Sequence, residues 1–311
     1  MGIIASVLAS AIATSASLMY ASTGEILTER SGTLNLGLEG VMLMGAVMAY
    51  VTADHTQSLA LGILAALVMG ALVGLVFAFM TVTLRANQVV CGLALVTLGT
   101  GLSGFIGKSV GGTTLPMSFQ KVAIPVLSDI PFLGDVFFKQ DLMVYGLYVL
   151  VPLLQFFLFK TGPGLRLRAL GENPAALDAA GIRVYLLRYL YAMAGTAIVS
   201  LGGAYMTLAF TPTWIDNITA GNGWIAAALV IFSFWNPLYA ALGSVFFGLI
   251  NVLALRLQLT GVPIPSFFIS MLPYICTIAV LILSALGLGG KLSQAPRALG
   301  SYYDREARLI V

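Results

Sequence analysis

Long unbroken apolar runs alternate with short polar segments along this chain. The runs cover positions 1–22, 34–51, 58–84, 89–106, 142–159, 185–210, 223–235, 238–255 and 266–286. Against the ~20 residues needed to cross the hydrocarbon core, they predict about nine transmembrane helices. A membrane barrel would instead show short segments of alternating polarity. The first run has neither the basic start nor the cleavage pattern of a secretory signal and reads as a retained span. Positions 23–32, with Glu25, Glu29 and Arg30, read as a polar loop. The second span is interrupted by Asn35, Gly37, Glu39 and Gly40. The run 223–235 is short, reaching ~20 Å of a ~30 Å core, and predicts a half-helix or a start nearer Trp214.

Composition agrees with the pattern. Apolar residues make up 59% of the chain and charged residues 9%, with mean hydropathy +0.99, where a soluble domain carries about 25% charged residues. The expectation is a single all-α, polytopic membrane domain over 1–311. Cys91 and Cys276 both fall in apolar runs and read as packing residues.

Charge orients the spans. Lys160, Arg166, Arg168, Arg183 and Arg188 crowd into 160–188, and short loops rich in Lys and Arg stay cytoplasmic. Alternation then places Arg30, Arg85 and the tail 288–311, with Lys291, Arg297, Arg305 and Arg308, on the same side. The loop 108–141 falls outside; its Lys108, Lys121 and Lys139 are offset by Asp129, Asp135 and Asp141. The amino terminus is expected outside and the carboxyl terminus in the cytoplasm.

Within the basic cluster the sequence punctuates a short helix. Asn173 suits the N-cap, Pro174 the first helical position, and Gly181 the residue past the end. So short a helix is not stable alone in water and forms by docking, or else serves as a connector between spans. The 34 glycines, including Gly70 and Gly74 in GxxxG spacing, read as close helix contacts. Trp214, Trp224 and Trp235 read as interfacial anchors.

Enzymatic constellations are nearly absent. His55 is the sole histidine, and two separated cysteines give no metal-ligand spacing. GLSGFIGKS at 101–109 fails as a phosphate-binding loop, because five residues separate Gly101 from Gly107 where four are required. No catalytic residue, metal ligand or bound cofactor is predicted. A proton- or sodium-coupled carrier would place ionisable groups at midplane, and Glu39 is the one carboxylate plausibly within a span. The driving force is therefore expected from another subunit.

Five stretches resemble the permease subunits of ATP-binding cassette importers, in the branch serving simple sugars, branched-chain amino acids and nucleosides, and most nearly the shorter permease of bacterial nucleoside importers. They are GEILTERSGTLNLGLEGVMLMGA at 24–46, LRANQVVCGLAL at 84–95, GLRLRALGENPAALDAAGI at 164–182, WNPLYAALGSVFFGL at 235–249 and APRALGSYYDRE at 295–306. The resemblance implies an importer-type permease fold in a bacterial inner membrane. It implies that Gly171, Glu172, Asn173, Pro174, Ala175, Ala179 and Gly181 form a coupling helix seated on a cytoplasmic ATPase, which uses the ATP. It further implies pairing with a second, longer permease, and docking of a substrate-binding lipoprotein on the loop 108–141. The segment 35–45 would lie in the substrate-facing helix.

The implied function is half of a translocation pathway for a nucleoside, with simple-sugar import as the alternative. An ion-coupled carrier or a structural membrane protein are the rivals from other classes. Asn35 and Glu39, four apart, would share a helix face and line a polar path, with Asn251 as a further pathway candidate. Alternatively, Glu39 pairs with a neighbouring helix end or with Arg30 to hold the bundle. Asn87 and Gln88 are expected to cap the fourth span.

Overall fold

The computed structural model describes residues 2–259, 268–269, 271–285 and 295–305. Twelve described helices make up most of it: α1 (Ile3–Arg30), α2 (Leu38–Thr56), α3 (Leu59–Ala78), α4 (Gln88–Gly107), α5 (Leu133–Phe137), α6 (Leu142–Lys160), α7 (Gly162–Glu172), α8 (Pro174–Ala179), α9 (Val184–Tyr205), α10 (Asn222–Phe232), α11 (Pro237–Leu259) and α12 (Leu272–Ala285). α3 and α9 each end in a π-helical turn, at Phe79–Thr83 and Met206–Phe210. Among the described residues six helices are long and apolar enough to cross a membrane: α1, α3, α4, α6, α9 and α11. α2, α10 and the described α12 stand outside that group. Part of the expected ninth span, and the tail residues Lys291 and Arg308, lie outside the described residues.

α9 sits at the centre, packed on α1, α2 and α3; α11 covers the far side of α1, and α4 covers α2. Missing side chains permit these crossings. A Cβ on Gly99 would strike the backbone of Gly40, and one on Gly24 would strike the backbone of Gly195 and Val199. Without a hydrophobic drive between helices in lipid, such close contact supplies the association through packing. Gly101 and Gly104 depart from this rule, with nothing within 4 Å of a built Cβ.

The expected polar loop at 23–32 is instead the last two turns of α1, and Glu25, Glu29 and Arg30 are buried. Hydropathy averaging misreads Glu29 and Arg30 because their partners come from distant sequence. Arg30 donates to the carbonyls of Trp235 at 3.1 Å and Phe234 at 3.2 Å, and the Trp235 indole N–H donates to Glu29. Two of the three expected interfacial tryptophans are likewise interior: Trp214 is buried against Gly107, and Trp235 is held by Glu29. Trp224 is exposed.

The loop 108–141 is folded. Strands β1 (Lys121–Ala123) and β2 (Lys139–Asp141) pair antiparallel, with Lys121 opposite Asp141, and α5 fills the hairpin. Asp141 caps α6 by accepting from the Val144 N–H at 3.0 Å, and burial pushes its carboxyl above the usual range.

Candidate functional site

After α1 the chain runs through a non-helical stretch, 31–37, and re-enters helix at Leu38. Side chains take up two of its backbone N–H groups, as irregular structure buried in protein favours. The Leu34 N–H donates to Gln88 Oε1 at 2.6 Å, and the Gly37 N–H to Asn35 Oδ1 at 2.9 Å. Asn35 therefore precedes α2 and does not share a helix face with Glu39, as the spacing suggested. It is fully buried, and its amide donates to Glu25 Oε2 at 3.3 Å.

Glu39 lies in the first turn of α2 and meets the amino-terminal end of α10. One carboxylate oxygen accepts from the Thr219 hydroxyl and from the Gly221 N–H at 2.9 Å; the other accepts from the Gly223 N–H at 2.7 Å. Of the two readings of Glu39, the geometry matches pairing with a neighbouring helix end. An anion here satisfies orphan N–H groups and complements both helix dipoles. Gly223 permits the approach, since a Cβ there would overlap Glu39 itself. α10 has 11 residues, about 16 Å, and is a half-helix that does not begin at Trp214.

Asn251 lies on α11, half-buried, on the wall of a separate cavity beside α10 and α12. Asn87 caps α4 as expected, accepting from the Val90 N–H at 3.1 Å. Gln88 does not cap; it bridges Leu34 to the tail, donating to the Ser301 carbonyl at 3.3 Å.

The short helix in the basic cluster is α8. Asn173 Oδ1 accepts from the Ala176 N–H at 3.0 Å. At the other end the Ile182 N–H reaches the Leu177 carbonyl and the Gly181 N–H reaches that of Asp178, with Gly181 at φ 79°, a Schellman ending. Leu177 and Ala175 pack inward with Leu170, Val184 and Tyr303. Ala176, Ala179, Ala180 and Glu172 face outward, beside a groove of about 340 Å³ between α7 and α8. Gly171 is buried where a Cβ would meet Arg30 and Pro296, and its carbonyl accepts from the Ala298 N–H at 2.8 Å.

Sequence reasoning missed the tail as a structural strap. Ser301 gives its carbonyl to Arg188 at 3.1 Å as well as to Gln88. Asp304 pairs with Arg85 at 2.6 Å, and Arg305 grips Asp178 of α8 through two bonds of 2.7 and 2.8 Å. That carboxylate raises the Arg305 guanidinium above its ordinary value. Asp178 was the available signal, an acid in a run of alanines.

The chain is built of apolar helices, six of which, among the described residues, are long and apolar enough to cross a membrane. It belongs to the family described as branched-chain amino acid transport system, permease component, which matches residues 7–285. It is a transport subunit of an ABC transporter, not an enzyme, and works with a separate ATPase. The chain is 37% identical to the nucleoside ABC transporter permease NupC of Lactococcus lactis, covering 92% of each chain. It is 34% identical to the guanosine ABC transporter permease NupQ of Bacillus subtilis, covering 94% of each. It is also 34% identical to a provisionally described glucose ABC transporter permease of Haloferax volcanii, over 93% of this chain and 94% of that one. In fold it is similar to the inward-facing structure of an ABC transporter provisionally described as metal-chelate type, with TM-score 0.51, 14% identity, and coverage of 89% of this chain and 84% of that one.

Proposed function

We propose that this chain forms half of the translocation pathway of an ATP-driven nucleoside importer in a bacterial inner membrane, paired with a second, longer permease and fed by an external binding lipoprotein. The observation that carries the substrate is the likeness to two nucleoside permeases across more than nine-tenths of each chain. Support for the ATPase contact comes from α8, whose outward face of Ala176, Ala179 and Ala180 offers little volume to obstruct a cleft. The basic cluster at 160–188 supports a cytoplasmic position for that face, and with it an amino terminus outside and a carboxyl terminus inside. In this reading α2, α10 and α12 complete about nine membrane passes, and Asn35, Glu39 and Asn251 belong to the pathway region. The folded loop 108–141 exposes Val126 and Phe132, a surface suited to the lipoprotein.

Simple-sugar import is the second reading, favoured by the glucose-permease relative. Vesicles holding the chain with its partner permease, ATPase and binding protein should take up labelled guanosine with ATP inside, and not without the ATPase. Uptake of glucose or ribose in place of nucleosides would overturn the first reading in favour of the second.

A further inference from the structure

Asn251 and Gln258 lie seven residues apart on α11, two turns along one face, with Ala254 and Leu255 between them on the same stripe. Among the described residues neither carboxamide has a side-chain hydrogen-bond partner. Both line an open-sided cavity of about 440 Å³, together with Asn222 at the start of α10, Ile225, and Tyr274 of α12. Tyr274 is fixed, its hydroxyl donating to the Ala220 carbonyl at 2.8 Å. Depth follows from helix rise. Asn251 stands 14 residues from Pro237, about 21 Å above the turn that Arg30 holds, and α10 places Asn222 about 16 Å above it. The pocket thus runs from the middle of a ~30 Å core, at Asn222 and Asn251, to its far edge at Gln258, ~32 Å along α11. Asn251 is half-buried and Gln258 exposed, so both carboxamides are open to a solute that enters the cavity.

The lining carries no charged side chain among the described residues. A nucleotide or a zwitterionic amino acid would bring unpaired charge into it. A neutral solute would not. Each carboxamide presents a donor and an acceptor side by side, the arrangement that reads the paired donor and acceptor of a purine edge. An aromatic ring supplies an apolar wall. The loop 219–223 that lines this pocket also wraps Glu39, through Gly221 and Gly223, so the pocket adjoins the junction of α2 and α10.

We propose that this cavity is a way-station for the base of a neutral nucleoside, with Asn251 and Gln258 as the reading groups. The inference rests on the nucleoside reading above and deepens it. The test is binding of labelled adenosine to the purified permease–ATPase complex without its binding protein, competed by purine riboside, which lacks the exocyclic amino group. Wild type should prefer adenosine. Asn251→Leu and Gln258→Leu should each weaken adenosine binding about three- to tenfold, the range for one neutral hydrogen bond, and narrow the preference over purine riboside. Gln258 is the more exposed of the two, so its variant remains informative if Asn251→Leu misfolds. A complex that neither binds nor transports any nucleoside would sink the proposed function itself. If nucleosides are transported while both variants keep wild-type discrimination, this pocket does not read the base. Loss of the partner permease from the variant complexes would also overturn it, assigning the amides to subunit contact.

Discussion

Arg30 and Glu39 grip opposite ends of α10. The carboxylate of Glu39 collects N–H groups of Gly221 and Gly223 at the amino-terminal end, and the guanidinium of Arg30 binds the Phe234 and Trp235 carbonyls just past the other. Each charge has the sign that its helix terminus favours. Phe234 and Trp235 sit at φ 52° and 55°, a left-handed turn that non-glycine residues resist, so Arg30 also holds strain in place. A helix too short to span is thereby suspended from the segment joining α1 to α2.

Replacing Glu39 with Gln should therefore destabilise the bundle and not only slow transport. The amide nitrogen would face an N–H donor, leaving buried groups unsatisfied at about 1 to 3 kcal/mol. A melting temperature in detergent several degrees below wild type, with reduced uptake, is the expected pair of results. Unchanged stability with lost uptake would return Glu39 to a substrate-contacting role.

Arg30→Ala should act at the other end, releasing the 234–235 turn. Cleavage by a protease near Trp235 should quicken in the purified complex, whereas the same measurement on Glu39→Gln should show quicker cleavage near 219–222. Equal cleavage at both turns in both variants would mean that α10 is not held independently at its ends.

Much of this was legible in the sequence, because some signals are local. The caps of α8 were readable since Asn173, Pro174 and Gly181 act within a turn of themselves, and the long spans were readable from run length. Glu25, Glu29 and Arg30 were not. A window that averages hydropathy scores them as loop, while Glu29 and Arg30 are met by the indole and carbonyls of residues some two hundred positions away, and Glu25 by Asn35 of the non-helical stretch. Asn35 failed for a related reason: its spacing from Glu39 fits a helix, yet Gly37 ends the non-helical stretch between them. The strap from Ser301 to Arg305 left only the unpaired-looking acid Asp178 as a clue.

Orientation has a direct check. Cysteine-free protein, with Cys91 and Cys276 replaced, should accept a membrane-impermeant thiol reagent at Arg166→Cys only from the cytoplasm and at Gln120→Cys only from outside. Both sites are exposed, whereas Gly164 is buried against Phe157 and would make a poor probe. Reversed labelling would overturn the assigned sidedness.

The strap and α8 together set the last prediction. Asp178 is held by Arg305 and by the Tyr303 hydroxyl at 2.9 Å, while the same tail reaches Arg85 and Arg188, near the ends of α3 and α9. A push on α8 from an ATPase would thus be felt at those helix ends through the tail. Ala179→Trp adds volume on the outward face and should abolish uptake, since overpacking of a tight site costs about 1 to 3 kcal/mol, roughly 5- to 150-fold in ATPase association. Insertion and pairing should persist. Ala175→Trp, on the inward face, should instead disturb the cluster of Leu170, Leu177 and Tyr303 and lower stability. Asp178→Asn separates the two effects: ATPase association should remain near wild type while nucleoside moved per ATP hydrolysed falls severalfold. If Asp178→Asn leaves that ratio unchanged, the tail is a passive cover, and if Ala179→Trp still binds the ATPase normally, α8 is a connector.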